Sequence, residues 1–367
     1  MSATVLVRPS ALPQNYVERR RLQWSGDLGT VSEATDWLEN RYVLIKRVGV
    51  NEANANEVES LLKKHCSLRH PHIVELLHVF PSRGEISAVL ESPNESLWQF
   101  VRQKANGVLD ETLSRWFFQQ VIIAVHFCHS SNHWLKNIRL ENVLLKEGAL
   151  LPIVKLWGFV YDGDSGGKDA RSHDAVLDYL APECVEGDEG YDLFKADIWS
   201  CGVLLFTMLC GSYPFTTHEN SNQGSNQKDC YRKNLVAFFD RGERSYPSHL
   251  SASCVDLLQH LLAPNPRDRI TVEKIFENEW FTKNFPTEAR EMNERMLEEN
   301  EKMLRMGSTV VRDSKIRNAI MDACYRHGCE FSDIDIDRIF DEEQALERNN
   351  SSSMSVDHSR NNKSNVT

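Results

Sequence analysis

From Ala196 to Cys210 the sequence carries apolar side chains on nearly every side of a would-be helix, in the run ADIWSCGVLLFTMLC. A surface helix keeps a polar stripe; a helix without one belongs in the middle of a domain. The rest of the chain must therefore supply elements to cover it on all faces. A chain of 367 residues holds enough material for one large domain or two ordinary ones. Its hydrophobic share of 41% and charged share of 26% are those of a globular protein in water. The net charge of −11 is spread without a basic block, which argues against a nucleic-acid or anionic-membrane partner. No stretch approaches the run of about twenty apolar residues that spans a bilayer. No long apolar segment follows Met1, and the Arg19-Arg20-Arg21 triplet comes too late for a signal-peptide n-region. The nine cysteines are scattered, several of them inside apolar runs where Cys acts as a small hydrophobe. That usage fits a reducing compartment, cytoplasmic or nuclear.

Along the chain, residues 1–18 are polar and read as a loosely ordered extension. Short β-type runs at 30–34, 42–48, 73–80 and 85–90 surround a helix at 57–67, where Val58, Leu61 and Leu62 fall at helical spacing. From Leu97 the pattern becomes mainly helical, with a broad apolar stripe over 111–130. Residues 216–230 are rich in Gly, Asn and Ser and read as a surface loop. The domain spans 19–285, a β-rich part over 19–92 and a helical part over 93–285. A charged helical extension follows over 286–347. Within it, 288–305 reads as a solvent-exposed helix and 314–346 as one or two acidic amphipathic helices. The tail, 348–367, has the composition of disorder.

Three pairs of motifs fall in order along the domain. Val43-Leu44-Ile45-Lys46 precedes Leu68-Arg69-His70-Pro71-His72-Ile73-Val74. Arg139-Leu140-Glu141-Asn142-Val143-Leu144-Leu145 precedes Val154-Lys155-Leu156-Trp157-Gly158-Phe159. Ala181-Pro182-Glu183 precedes Asp197-Ile198-Trp199-Ser200-Cys201-Gly202. At these separations they resemble the protein-kinase signature set over about residues 20–283. The likeness is strongest to the calcium/calmodulin-dependent kinase group, and within it to plant sucrose-non-fermenting-related Ser/Thr kinases. It implies an α+β, bilobal fold with a small β-rich N-lobe and a large α-helical C-lobe.

Phosphoryl transfer needs a glycine loop over the phosphates, a lysine held by a helix glutamate, an aspartate on Mg²⁺ and an aspartate facing the substrate hydroxyl. The resemblance places the glycine loop at 24–31, where Gly26, Gly29 and Val31 match and Trp24 stands in for the first glycine. Lys46 matches the strand lysine, and Leu44 takes the place of an alanine that lies against adenine. An ungapped count puts Leu61 at the helix glutamate, leaving Glu57, one turn earlier, as a candidate partner for Lys46. Lys46 also reads as a merely solvated or structural lysine. The hinge is Leu90-Glu91-Ser92-Pro93, and Pro93 has no N–H to donate to a base. Leu144 matches the apolar floor of the nucleotide pocket.

The catalytic loop departs further. His-Arg-Asp of the family reads Leu135-Lys136-Asn137 here, and Asn137 keeps the family's spacing to the matching Asn142, with Arg139 between them. An amide does not accept a proton as a carboxylate does. Gly158 stands at the metal aspartate, and glycine has no side-chain oxygen for Mg²⁺; Asp162 and Asp164 nearby sit among glycines and read as poor surrogates. Ala175-Val176 replaces the usual Gly-Thr ahead of Ala181. Glu183 and Arg269 match a buried ion pair, and Asp197 matches the aspartate that ties the central helix to the catalytic loop.

The expectation is therefore a pseudokinase: a scaffold or allosteric regulator with a protein partner, such as an active kinase or its substrate. No cofactor is expected beyond weak, metal-independent ATP binding. The alternatives are a residual Ser/Thr kinase working through Lys46, Asn142 and an unusual acid, or a protein whose acidic helices at 314–346 do the work.

Overall fold

The computed structural model describes residues 15–21, 30–51, 54–82, 84–135, 137–149, 151–157, 177–187, 190–215, 227–305 and 316–320. Runs of Val, Ile, Thr and Tyr pack well on a pleated surface, and the first of them assemble into one antiparallel sheet. Its strands are β1 (Tyr16–Arg21), β2 (Thr30–Asp36), β3 (Arg41–Gly49), β4 (Leu76–Ser82) and β5 (Glu85–Glu91), in the order β1-β2-β3-β5-β4. β1 corrects the reading of 1–18 as loose chain. Tyr16 pairs with Asp36 and packs its ring on His78 and Phe80, so Tyr16, Val17 and Glu18 are strand. Helix α1 (Ala55–Ser67) lies under the sheet, with Val58 and Leu62 against Leu44, Val48, Ile86 and Leu90. The strand expected from Ile73 starts at Leu76. Ile73 instead makes an isolated parallel bridge to Leu156, where the Leu156 N–H donates to His72 O at 2.8 Å and the Val74 N–H to Leu156 O at 3.1 Å.

The second lobe begins with β6 (Glu95–Ser96), which pairs with β7 (Val143–Lys146) and β8 (Ile153–Leu156) in a three-stranded sheet. Around it stand α2 (Leu97–Arg102), α3 (Glu111–Ser130), α4 (Pro182–Glu186) and α5 (Leu193–Cys210). They are followed by α6 (Gln227–Arg241), α7 (Ala252–Leu261), α8 (Val272–Ile275), α9 (Glu279–Thr282) and α10 (Thr287–Arg305). The loop expected through residue 230 thus gives way to helix at Gln227, and 216–226 lie outside the described residues.

Helix α5 is the apolar run with which the sequence began. It is the one helix among the described residues long and apolar enough to cross a membrane, and it is buried between α3 and α7. Asp192 starts it by accepting the N–H groups of Phe194 and Lys195. Gly211 ends it with φ +71°, where a Cβ would also lie 2.9 Å from Val108 Cγ1. Cys128, Cys201 and Cys254 pack in the surrounding core, where burial pushes their thiols up.

The charged extension is not simply solvated. Ala289, Met292, Met296 and Leu297 of α10 lie against the core of the large lobe, and Asn293 is buried. His70 Nδ1 accepts the His72 N–H at 3.1 Å, so its Nε2–H donates to Asn293 Oδ1 at 2.8 Å. The Asn293 amide donates to Ile123 O at 2.8 Å. Of the acidic helices expected over 314–346, residues 316–320 are described; they form a short helical segment. Ile316, Ala319 and Ile320 complete the apolar core beneath the small sheet. The charge count concealed both contacts, because the buried side chains occupy one narrow stripe.

Candidate functional site

The sheet register sets the roof of the cleft. Val31, Lys46 and Ala88 share one cross-strand row, and Leu44 lies opposite Leu90. Leu144 on β7 and Trp157, just after β8, meet them from the other lobe. Val31, Leu44, Ala88, Leu90, Leu144 and Trp157 belong to one apolar cluster, and none of these six is more than 1% exposed. Leu44 brings an isobutyl group and Trp157 an indole into this buried cluster. Sequence reasoning missed Trp157, although its bulk immediately before Gly158 was visible.

Lys46 is fully buried, so the reading of it as a solvated lysine fails. Glu57 is exposed on α1, which does not fit its expected role as partner to a buried ammonium. The buried acid of α1 is Glu59, which bonds Lys63 at 2.7 Å and Arg317 at 3.2 Å. Leu61 packs with the small-lobe core. At the hinge, Leu90 is buried and the Glu91 carboxylate turns toward the large lobe, bonding Lys155 at 2.6 Å and Lys146 at 3.2 Å. Pro93 follows, half-buried and outside any helix or strand.

The catalytic-loop segment is held from three directions. Asp197 accepts the Leu135 N–H at 2.8 Å and bonds His129 Nε2 at 3.0 Å. Inside the loop, the Asn142 side-chain amide donates to Asn137 O at 3.1 Å, and the Val143 N–H returns to Arg139 O at 3.0 Å. From the far side, Tyr179 Oη accepts the Leu140 N–H at 3.2 Å, its phenol kept protonated by burial. This tyrosine link was not foreseen; it ties the segment before Ala181 to the loop in a region where the expected threonine is missing. Leu135 is 1% exposed and Arg139 is buried, while Asn137 stays half-exposed. Glu183 and Arg269 meet in a two-pronged ion pair at 2.6 and 2.9 Å, with the guanidinium over Trp199.

Trp24, Gly26, Gly29 and Gly158 lie outside the described residues, as do Asp162, Asp164 and Val176. Among the described residues no group of three His, Cys, Asp or Glu side chains is arranged to hold a metal ion.

The protein kinase domain family matches residues 20–281. This chain belongs to the protein kinase family. The two lobes above are its bilobal α+β fold, and its relatives include Ser/Thr kinases of plants. The chain is 34% identical over 254 residues to CBL-interacting serine/threonine-protein kinase 15 of Arabidopsis thaliana, covering 67% of this chain and 54% of that one. It is 32% identical over 289 residues to CBL-interacting protein kinase 5 of Oryza sativa subsp. japonica, covering 76% and 58%. Serine/threonine-protein kinase SRK2A of Physcomitrium patens is 32% identical over 275 residues, covering 74% and 75%. The chain thus spans little more than half the length of the first two relatives.

Proposed function

We propose that this kinase-fold protein is a catalytically inactive pseudokinase that acts by binding a protein partner, as a scaffold or an allosteric regulator in signalling. The observation that carries the reading is Asn137. It sits in a loop held by Asp197, Asn142 and Tyr179, at the place where transfer to a hydroxyl requires a carboxylate to take the proton. The packed cluster of Leu44, Leu144 and Trp157 supports it, since magnesium-nucleotide fits poorly where these side chains already meet. Gly158 offers no ligand to a metal. A scaffold that keeps the Glu183–Arg269 pair and the Asp197 anchor keeps its fold without needing the chemistry. The names of two relatives describe proteins that interact with CBL, and a protein partner is the corresponding proposal here. Its place is the cytoplasm or nucleus.

The second reading, a residual Ser/Thr kinase, is favoured by Lys46 and Asn142 and by relatives named as kinases. One experiment separates the two. A ligand that binds only the folded state raises the thermal midpoint in proportion to its occupancy. Millimolar ATP with Mg²⁺ is expected to leave the midpoint within error of the apo protein, and ATP with chelator to add at most a small shift. A clear magnesium-dependent rise, with label transfer to a peptide that Lys46→Ala abolishes, would replace the proposal with the second reading.

A further inference from the structure

The turn between β2 and β3 presents large apolar side chains to solvent. Trp37 is 66% exposed and Leu38 80%, and beside them Tyr42 is 60% and Val17 46% exposed. Val17 pairs with Thr35 and Thr35 with Tyr42, so the two strand residues share one cross-strand row next to the turn. Single exposed hydrophobes need no explanation, but a group of them marks a contact surface. This one is fixed in advance. The buried Asp36 carboxylate accepts the N–H groups of Leu38 at 3.1 Å and Glu39 at 3.5 Å and the side-chain amide of Asn15 at 3.0 Å. The Trp37 N–H donates to Asn15 O at 2.9 Å, and Asn40 takes the left-handed conformation at φ +47°. Side chains carried on an ordered turn lose less entropy when covered.

The charges around the patch select what covers it. β1 is an outer strand of its sheet and carries Arg19, Arg20 and Arg21 in succession. An outer strand with one sign of charge repels another copy of itself, which argues against a dimer at this place. The acids nearby are mostly engaged. Arg20 grips Glu33 through bonds at 2.7 and 2.8 Å, Arg47 bonds Glu18, and Asp36 is buried in the turn. Glu39 is the one further acid among the described residues of β1, β2, β3 and their turn. Arg19 stacks on the Tyr42 ring at 4.6 Å, and a guanidinium stacked by its face keeps its in-plane N–H donors for a carboxylate. Arg41, next to Tyr42, has 41% of its side chain exposed. An anionic lipid surface suits the patch less well, because Glu39 stands beside Leu38 and the whole chain carries a net charge of −11. A single segment is small enough to feel chiefly the nearby arginines, since salt screens charges beyond about 8 Å. We infer that Val17, Trp37, Leu38 and Tyr42 dock an acidic segment of a partner protein, its apolar side chains on Trp37 and Leu38 and its carboxylates on Arg19 and Arg41. The inference rests on the protein-binding half of the proposed function and is independent of whether the cleft holds nucleotide.

The test pans the full chain against a phage-displayed library of random linear peptides and measures the enriched peptides, once synthesised, by fluorescence anisotropy. Enriched sequences are expected to interleave Asp and Glu with Leu, Ile, Phe or Trp. Leu38→Glu is expected to weaken them by at least about tenfold, and Trp37→Ser and Arg19→Glu by comparable factors. Leu38 makes its turn bond through the backbone, so Leu38→Glu is expected to keep the thermal midpoint of the parent chain. No enrichment, or a consensus that is basic or uncharged, overturns the inference. So does binding that survives Leu38→Glu and Trp37→Ser, which would leave the protein-binding reading intact and move its surface elsewhere. Concentration-dependent dimers in sedimentation, lost in Leu38→Glu, would make a second copy the occupant. Pelleting with phosphatidylserine vesicles, lost in the same variant, would make it a membrane, and either result overturns the inference.

Discussion

At Asn137 the difference between an amide and a carboxylate is a single nitrogen in place of an oxygen, yet it removes both the charge and the proton acceptor. On the proposed reading the loss is shared with Gly158, so restoring one group does not restore the reaction. Asn137→Asp is expected to leave label transfer to peptide at background, because nothing at Gly158 holds the metal that neutralises the phosphates. Appearance of magnesium-dependent transfer in that single variant would place the metal ligand elsewhere. The Glu183–Arg269 pair has the opposite character, structure without chemistry. Both side chains are buried, so removing one charge strands the other in a medium that solvates it poorly. Glu183→Gln is expected to lower the unfolding free energy by about 3 kcal/mol or more in urea titration. A loss below about 1 kcal/mol would mean water reaches the guanidinium.

The helices show what backbone proximity demands of a sequence. Gly202 lies in the middle of α5, where alanine would ordinarily favour helix by about 1 kcal/mol. Here a Cβ would sit 2.9 Å from Leu261 Cβ and 2.9 Å from Leu262 Cδ2 at the end of α7. The first of those atoms is fixed to the backbone and has nowhere to move. Gly202→Ala is therefore expected to destabilise by roughly 1–3 kcal/mol despite its better helix propensity, read as a lower urea midpoint. A neutral or stabilised variant would show that α5 and α7 slide apart easily. Elements of this kind were legible in the sequence. The all-apolar run 196–210 announced α5, and the strand pattern at 42–48 announced β3. α10 was misread because its charge density dominates its composition. Its buried stripe of Ala289, Met292, Asn293 and Met296 is nonetheless spaced at helical period. No local pattern announces that Asn293 finds His70, 223 residues away in the sequence and on the other side of the lobe junction.

For the molecule as a whole, the signature motifs gave the two lobes, but the joint between them is built from contacts that motifs do not encode. Three histidines lie at or beside it, two of them bonding across. His65 donates to Val74 O at 2.7 Å, His72 to Val154 O at 3.1 Å, and His70 to Asn293 on α10 at 2.8 Å. Burial lowers all three, His65 and His72 to about 4 and His70 to about 3, with neighbouring positive groups adding to the effect. In the unfolded chain the same rings take up protons near pH 6.5. Below that pH the unfolded state binds protons that the folded state refuses, so stability is complete above about pH 6.5 and falls as acid is added. Each histidine contributes a slope of up to about 1.4 kcal/mol per pH unit over the interval down to its folded value. Urea midpoints measured from pH 7.5 to 5.5 are expected to fall over the lower half of that range. His70→Gln keeps an N–H to donate to Asn293 but removes one titrating ring, so its stability is expected to decline less steeply with acid. Parallel pH profiles for the two proteins would mean that His70 is protonated in the folded state and that α10 is held at the lobe junction by something other than a neutral imidazole.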